Sequence, residues 1–458
     1  GCHKCAYGRR DCMKAEEYLS VLTDQMRCKM AREAVRDELL CHIEDQKAAF
    51  ISEGMEKSEA EEAAVREMGD PVETGNEMDR IHRPKMAWGM IALITVLSIT
   101  GYAIQRAMEA KVVADGGYAW LSSRNLVFLI AGLVLMMGVC FADYTRIGQR
   151  ARGIMAVIDI LLIGATVFSR AVNGAKTFLY LPVIGYITIE YVFLLTVPVY
   201  AAILYGYRGQ GYRAIGKAVL WMIPSAFIAF RIPNIMTTAV LMLSYMIILG
   251  IAVFHGWFHV SRRRTLAGIA AALLCAPAAG IAFYWFMGED YQRERLRVIL
   301  DPGSTEAGYV PGLIRGLIEN SRLAGSGATV PDTSVIPQFQ TFILSGVTVY
   351  YGMLAAAVLA GLILFLLIRF LRISLRQRNQ LGMLMGAGCS VVFLVETAVY
   401  ILNNLGVVYT SSYCPFLSYG GTGTLITYIL LGILLSICRY QNTAPERKRL
   451  PGISRKPV

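Results

Sequence analysis

Residues 342–368 read FILSGVTVYYGMLAAAVLAGLILFLLI, a run of apolar and small side chains without a single Asp, Glu, Lys or Arg. A helix rises about 1.5 Å per residue and a bilayer's hydrocarbon is about 30 Å thick, so this run predicts one membrane-spanning helix. Working outward, comparable runs lie near 87–105, 126–142, 153–169, 187–205, 215–230, 236–257 and 266–286 on the N-terminal side, and near 382–402 and 422–438 on the other. The expected fold class is therefore all-α: a polytopic membrane protein of ten transmembrane helices. Neither an internal repeat nor a broken-helix pattern of the transporter kind stands out.

Composition agrees. Of 458 residues, 55% are hydrophobic and 17% charged, against about 25% charged in an ordinary soluble domain. The charge is unevenly spread: residues 1–85 carry 14 Lys/Arg and 19 Asp/Glu, whereas the remaining 373 carry 30 Lys/Arg and 14 Asp/Glu. The chain divides accordingly into a small acidic domain over 1–85, a membrane domain over 86–440 and a basic tail over 441–458. Positive charge in the membrane domain sits largely in short loops between apolar runs rather than on one continuous face, which argues against a nucleic-acid footprint. Arg146, Arg150 and Arg152; Arg208, Arg213 and Lys217; Arg262, Arg263 and Arg264; and Arg372, Arg376 and Arg378 fall in alternate loops. By the positive-inside rule those loops, the acidic domain and the tail are cytoplasmic, which requires an even helix number and puts both termini inside the plasma membrane. The ten cysteines are scattered and read as reduced thiols.

The acidic domain reads as a helical bundle. Leu19, Leu22, Met26 and Met30, then Val35, Leu39, Ile43 and Phe50, recur at helical spacing. Ser58 followed by Glu61 suggests a capping box, and Gly69-Asp70-Pro71 a break between helices. Cys2, His3, Cys5 and Cys12 offer one zinc-like pair without a second, and His42, Glu44 and Asp45 read as a solvated face; no metal site is expected. The stretches HIED and MGDP within this region resemble the permease prefix domain that precedes membrane proteins of Gram-positive bacteria. That resemblance implies a cytoplasmic regulatory or docking module.

Two features point to chemistry. Residues 287–341 form a long outer loop with five Arg, three Asp and four Glu, including an amphipathic stretch over Val310–Asn320; a loop of this length is a natural place for an extracytoplasmic site. Charged residues inside apolar spans are functional candidates by default: Asp159, Glu190 and Glu396, with Asp143 read as an interfacial anchor beside Arg146.

The end of the chain's membrane part reads PFLSYGGTGTL over residues 415–425. Its glycines permit close backbone approach, and the N–H groups of a helix start favour anions. This stretch resembles the signature of the SEDS family, the FtsW/RodA/SpoVE type of cell-wall polymerase. NGAKTF over Asn173–Phe178, ITIEY around Glu190, IPNIMTTAV over Ile232–Val240 and YQRERLRVILDP before Gly308-Tyr309 resemble further family motifs in the same order. The resemblance implies a protein of bacterial cell-wall synthesis, in shape, division or sporulation, acting on lipid II at the outer membrane face with undecaprenyl diphosphate as leaving group. It implies a class B penicillin-binding protein as partner, and Mg or Mn as a possible divalent counter-ion to the diphosphate. By the same resemblance Glu190 is catalytic, Arg295 and Arg293 serve the diphosphate, and Ser418, Tyr419, Gly420, Gly421 and Thr422 bind substrate.

The departures fall on polar positions. Where the family carries an essential Asp before the eighth helix, this chain reads Ile336-Pro337-Gln338-Phe339-Gln340-Thr341-Phe342, leaving Asp332, Asp301 or Glu319 as displaced carboxylates. The lysine that follows the family's Glu is Phe193 here, and Thr177-Phe178 replace an Arg-Trp pair. The expectation is a polymerase weaker than a motif-complete relative, with lipid II binding retained. The alternatives are a catalytically impaired regulator that binds lipid II or a penicillin-binding protein, and a flippase of lipid-linked precursor.

Overall fold

The computed structural model describes residues 13–114, 123–172, 175–181, 185–232, 235–287, 290, 293, 297, 309–326, 341–410, 412–418 and 420–441. The N-terminal cysteines, the Met30 side chain, Asn173-Gly174, Arg295, Asp301, Gly308, Asp332, residues 336–340 and Tyr419 lie outside the described residues. The chain forms two compact units, Gly1–Met86 with Cys438–Val458, and Ala87–Ile437.

In the first unit, α1 (Ala15–Asp24), α2 (Lys29–Ser52), α3 (Lys57–Glu67) and α4 (Pro71–His82) follow the expected helical spacing. Tyr18, Leu19, Leu22, Met26, Val35, Leu39, Ile43 and Val65 make one buried cluster. Asp70 caps α4, accepting from the Val72 and Glu73 N–H groups, with Pro71 in the first turn where its missing N–H costs nothing. The capping box at Ser58 does not form. The helix begins one residue earlier, Glu56 is its N-cap, and Glu61 points to α2 and accepts instead from Lys47 Nζ.

In the second unit the helices are α5 (Trp88–Ala114), α6 (Ser123–Phe141), a short α7 (Thr145–Gln149), α8 (Ala151–Phe168), α9 (Thr196–Gly206) entered through a 3-10 turn over Ile189–Leu195, α10 (Tyr212–Arg231), α11 (Ile235–Phe254), α12 (Arg262–Met287), α13 (Tyr309–Glu319), α14 (Ile343–Tyr351), α15 (Met353–Leu375), α16 (Gln380–Asn404) and α17 (Gly421–Arg439). Among the described residues nine helices are long and apolar enough to cross a membrane, and Asn125–Phe141 is a shorter apolar helix. The fold class is the expected one; nine of the ten expected spans are matched by these helices, and the span expected at 126–142 by the shorter one. The core is built on α9, buried from Thr196 to Leu204, and on the inner half of α16, buried from Leu381 to Phe393. Leu161 on α8, Phe227 on α10 and Leu274 on α12 are exposed, as helices in contact with lipid require.

Between the third and fourth expected spans lies an antiparallel sheet, β1 (Arg170–Val172), β2 (Ala175–Leu181) and β3 (Gly185–Thr188), in which Phe178 pairs with Thr188 and Tyr180 with Tyr186. Its Phe178, Tyr180, Tyr186, Ile187 and Thr188 are aromatic and β-branched residues that suit strands. The sheet takes the first two residues of the expected span over 187–205, which continues as a 3-10 turn and α9. A larger departure from the sequence expectation is in the run that decides the fold. The expected single helix over 342–368 is broken at Gly352, whose φ of +98° ends α14 and starts α15 in a new direction. The freed backbone groups are satisfied by the loop after α13. Met353 and Leu354 donate to the carbonyls of Arg322 and Leu323 at 3.0 Å each, and Gly325 donates to the Tyr351 carbonyl at 3.1 Å. A Cβ at residue 352 would lie 2.7 Å from the Ala324 Cα, so only glycine lets this loop close against the break. A broken helix is therefore present, contrary to the expectation of none.

Candidate functional site

Several element ends gather at one end of the membrane unit, opposite the arginine-rich loops. The segment Tyr413–Gly420 enters α17 through a tight turn in which the Cys414 N–H donates to Ser418 Oγ at 2.7 Å. Phe416 has φ +73°, the one described non-glycine residue in the left-handed region, a conformation costing about 1–2 kcal/mol that surrounding contacts must hold. Those contacts come from α5. Its Gly101 lies so close that a Cβ there would stand 2.0 Å from the Phe416 carbonyl oxygen, and Gln105 Nε2 donates to the Leu417 carbonyl at 2.7 Å. Gly420 has φ +140°, and a Cβ on Gly421 would meet the Phe128 ring at 2.6 Å. The expected turn glycines thus sit where backbone freedom and close packing are required. Thr422 Oγ1 accepts from the Thr188 N–H at 3.2 Å, tying the turn to the end of β3 two residues before Glu190.

A cavity of about 40 Å³ lies between these parts, lined by Ser98, Tyr102 and Gln105 of α5, Asn125 and Phe128 of α6, and Tyr413, Ser418, Gly420 and Tyr428. It has room for a few waters, at ~10–15 Å³ each on this measure, and none for a sugar unless the turn opens. Ser98, Tyr102 and Gln105 recur at helical spacing on one stripe of α5. The next position on that stripe is Glu109, 5% exposed, whose Oε2 takes a 2.7 Å ion pair from Arg106 Nη1. Sequence reasoning passed over Glu109 as the polar end of an apolar run, although its spacing from Gln105 was legible. Helix α5 also packs against α14, whose N-cap Phe342 stacks on Tyr409 with ring centroids 6.3 Å apart. Thr341 and Phe342, at the start of that helix, carry no carboxylate.

Glu190 and Glu396, singled out separately, come together. Glu190 is 8% exposed on the 3-10 turn, Glu396 9% exposed on α16, and their charges interact. Glu396 accepts from the Tyr413 backbone N–H, and the Tyr191 and Tyr413 rings stand 4.8 Å apart. Glu396 thereby ties α16 to the start of the turn. Burial pushes the Cys414 thiol up to about 12, so it stays protonated at neutral pH and offers no thiolate.

The other candidate residues lie apart from this cluster or have partners of their own. Asp159 accepts from Ser225 Oγ at 2.7 Å between α8 and α10. Asp143 takes the Thr145 N–H and hydroxyl, both at 2.8 Å, and starts α7. Of the loop arginines, Arg293 stands 3.5 Å from Asp290 and Arg297 lies over the Trp285 ring at 5.9 Å. Glu319 is exposed on α13, whose Arg315 Nε donates to the Gly406 carbonyl at 2.8 Å. Among the described residues no three His, Cys, Asp or Glu side chains stand together as a metal cage.

A polytopic bundle with a glycine turn, a buried glutamate on a 3-10 turn and a broken helix defines a class, and comparison with known proteins identifies it. The family of cell cycle proteins of the FtsW/RodA/SpoVE type matches residues 84–443, and the chain belongs to that family. It is 24% identical over 391 residues to the probable peptidoglycan glycosyltransferase FtsW of Trichlorobacter lovleyi, covering 78% of this chain and 95% of that one. It is 25% identical over 375 residues to the peptidoglycan glycosyltransferase MrdB of Escherichia coli K12, covering 78% and 94%. The fold resembles a chain of a peptidoglycan synthase complex described as coordinating polymerization and crosslinking, at TM-score 0.62, 22% identity and coverage of 77% and 98%. It also resembles the rod shape determining protein RodA of Thermus thermophilus, at TM-score 0.54, 18% identity and coverage of 78% and 97%.

Proposed function

We propose that this protein is a bacterial cell-wall glycosyltransferase that takes lipid II at the SYGG end of its bundle, with that end facing outward and both termini in the cytoplasm. Asn125–Phe141, about 26 Å long at 1.5 Å per residue, completes ten spans on this reading. A single-pass class B penicillin-binding protein is the expected partner, as the complex named above suggests. The observation that carries the reading is the SYGG turn clamped to α5 and β3, beside a cavity on whose stripe a buried carboxylate stands.

Glu109 is the general base in this scheme. Its carboxylate takes the proton of the acceptor sugar hydroxyl as that oxygen bonds to the donor's anomeric carbon. The bond from that carbon to the diphosphate breaks, and the electron pair leaves with undecaprenyl diphosphate. Arg293, Arg295 and the first N–H groups of α17 meet the developing charge. Glu396 holds the turn through the Tyr413 N–H, and Glu190, whose charge acts on Glu396, is a positioning residue in this scheme. A base within hydrogen-bond reach contributes about 10²–10⁴ in rate. One displaced from the family's position predicts slower turnover than a motif-complete relative.

The test is purified protein incubated with lipid II, with and without its partner synthase, the products resolved as glycan chains. Chains longer than lipid II support the reading; lipid II bound but never joined supports the regulator instead. The break at Gly352 favours a second reading, a precursor flippase, since transporter sites use interrupted helices. Lipid II moved across proteoliposomes at a rate that Gly352→Ala abolishes would establish it.

A further inference from the structure

At the opposite end of the bundle two cations converge on one tyrosine. The Arg152 guanidinium of α8 lies 5.0 Å from the centroid of the Tyr207 ring, and Lys217 Nζ of α10 lies 5.8 Å from the same ring. Arg208 sits over Tyr205 at 4.9 Å while its Nη1 donates to Gln380 Oε1 of α16 at 2.8 Å. Tyr207 is buried, its hydroxyl accepting from Trp221 Nε1 at 2.9 Å, so the ring is a fixed platform rather than a mobile surface group. The segment is locked further by Gly209, whose N–H donates to the Trp257 carbonyl at 2.8 Å.

Cation–π contact contributes about 0.5–1 kcal/mol at an exposed site, and a ring that serves two cations leaves their mutual repulsion unrelieved. Among the described residues no carboxylate forms a salt bridge with Arg152 or Lys217. Both side chains are exposed, and α8 continues into lipid-facing Val157, Ile160 and Leu161. Among the described residues the Arg152 and Lys217 pair thus stands on one ring with no carboxylate in salt-bridge reach, beside an exposed apolar face of α8. A membrane surface supplies one anion in abundance, the phosphodiester of an acidic phospholipid, and basic clusters between helices at the membrane boundary suit such head groups.

We propose that Arg152 and Lys217 form a binding site for the phosphate head group of an anionic phospholipid, held beside the Tyr207 ring that both contact. The bound phosphate bridges α8 and α10 across the end of α9, and so braces that core helix, which leads back through the 3-10 turn to Glu190. The site is independent of the reaction proposed above.

The test uses the full chain in neutral detergent, titrated with phosphatidylglycerol, phosphatidylcholine or inorganic phosphate while the thermal midpoint is followed. Phosphatidylglycerol should raise the midpoint saturably, with phosphatidylcholine and inorganic phosphate giving little. Arg152→Gln with Lys217→Gln should weaken apparent lipid affinity at least tenfold. Arg263→Gln with Arg264→Gln removes equal charge from another loop and should leave it unchanged. Native mass spectrometry of retained lipid decides the point if the first double variant is too unstable to titrate. An equal response in both double variants, or an equal shift from phosphatidylcholine, would overturn the site. Inorganic phosphate as effective as the lipid would overturn its assignment to a membrane ligand.

Discussion

Gln105 on α5 donates its side-chain N–H to the Leu417 carbonyl, 312 residues away in sequence, at 2.7 Å. This one bond ties the first membrane helix to the turn that opens the last. Gln105→Leu keeps most of the volume and leaves a buried carbonyl unpaired, at a cost of about 1–3 kcal/mol. Thermal unfolding in detergent should show the loss. An unchanged midpoint would mean that the turn holds itself.

The glycines around the turn should rank by what a methyl group meets. Gly101→Ala drives Cβ into the Phe416 carbonyl, which is backbone and cannot rotate away. Gly421→Ala meets the Phe128 ring, which can shift, and Gly420→Ala meets nothing but must adopt φ +140°. Overpacking costs about 1–3 kcal/mol, and backbone strain is of similar size. Expression and lipid II binding should fall most for Gly101→Ala. Equal tolerance of all three substitutions would reduce the turn to a helix cap.

The acidic domain has its own core and should fold as a fragment over 13–86. Its Glu61 carboxyl is held below the ordinary range by the Lys47 ammonium that donates to it. A depressed folded value means that the pair stabilises the fragment above the unfolded value of roughly 4.3. The contribution is lost as pH falls through the lower folded value. Both partners are partly exposed, so the effect should stay under about 1 kcal/mol. Urea midpoints of the fragment between pH 3 and 7 should flatten in Lys47→Met. An unaltered pH slope in that variant would assign the acid sensitivity elsewhere.

Much of the fold is legible because bilayer solvation writes it in long apolar runs, and the arginine loops separate one end from the other. What stayed hidden depended on partners distant in sequence. Nothing near Gly352 signals a break, because the groups that satisfy it belong to Arg322, Leu323 and Gly325 in the preceding loop. Glu190 and Glu396 stand more than 200 residues apart in sequence and meet only when α9 and α16 pack. The site glycines were legible from the local turn, whereas Glu109 required seeing that its stripe faces Leu417.

The proposed topology, read from the alternation of the arginine-rich loops, puts both termini in the cytoplasm. A reporter fused after Val458 should be active only where cytoplasmic fusions are. Activity confined to the outside would invert the topology and move the SYGG end to the inner face.

The most direct measurement compares lipid II polymerisation by the wild-type chain, Glu109→Gln and Asp332→Asn, at matched folding and matched lipid II binding. The account predicts slow but measurable wild-type synthesis, reduced at least a hundredfold by Glu109→Gln while lipid II stays bound. Robust synthesis that survives Glu109→Gln and is abolished by Asp332→Asn would contradict it, placing the base on the loop rather than on α5.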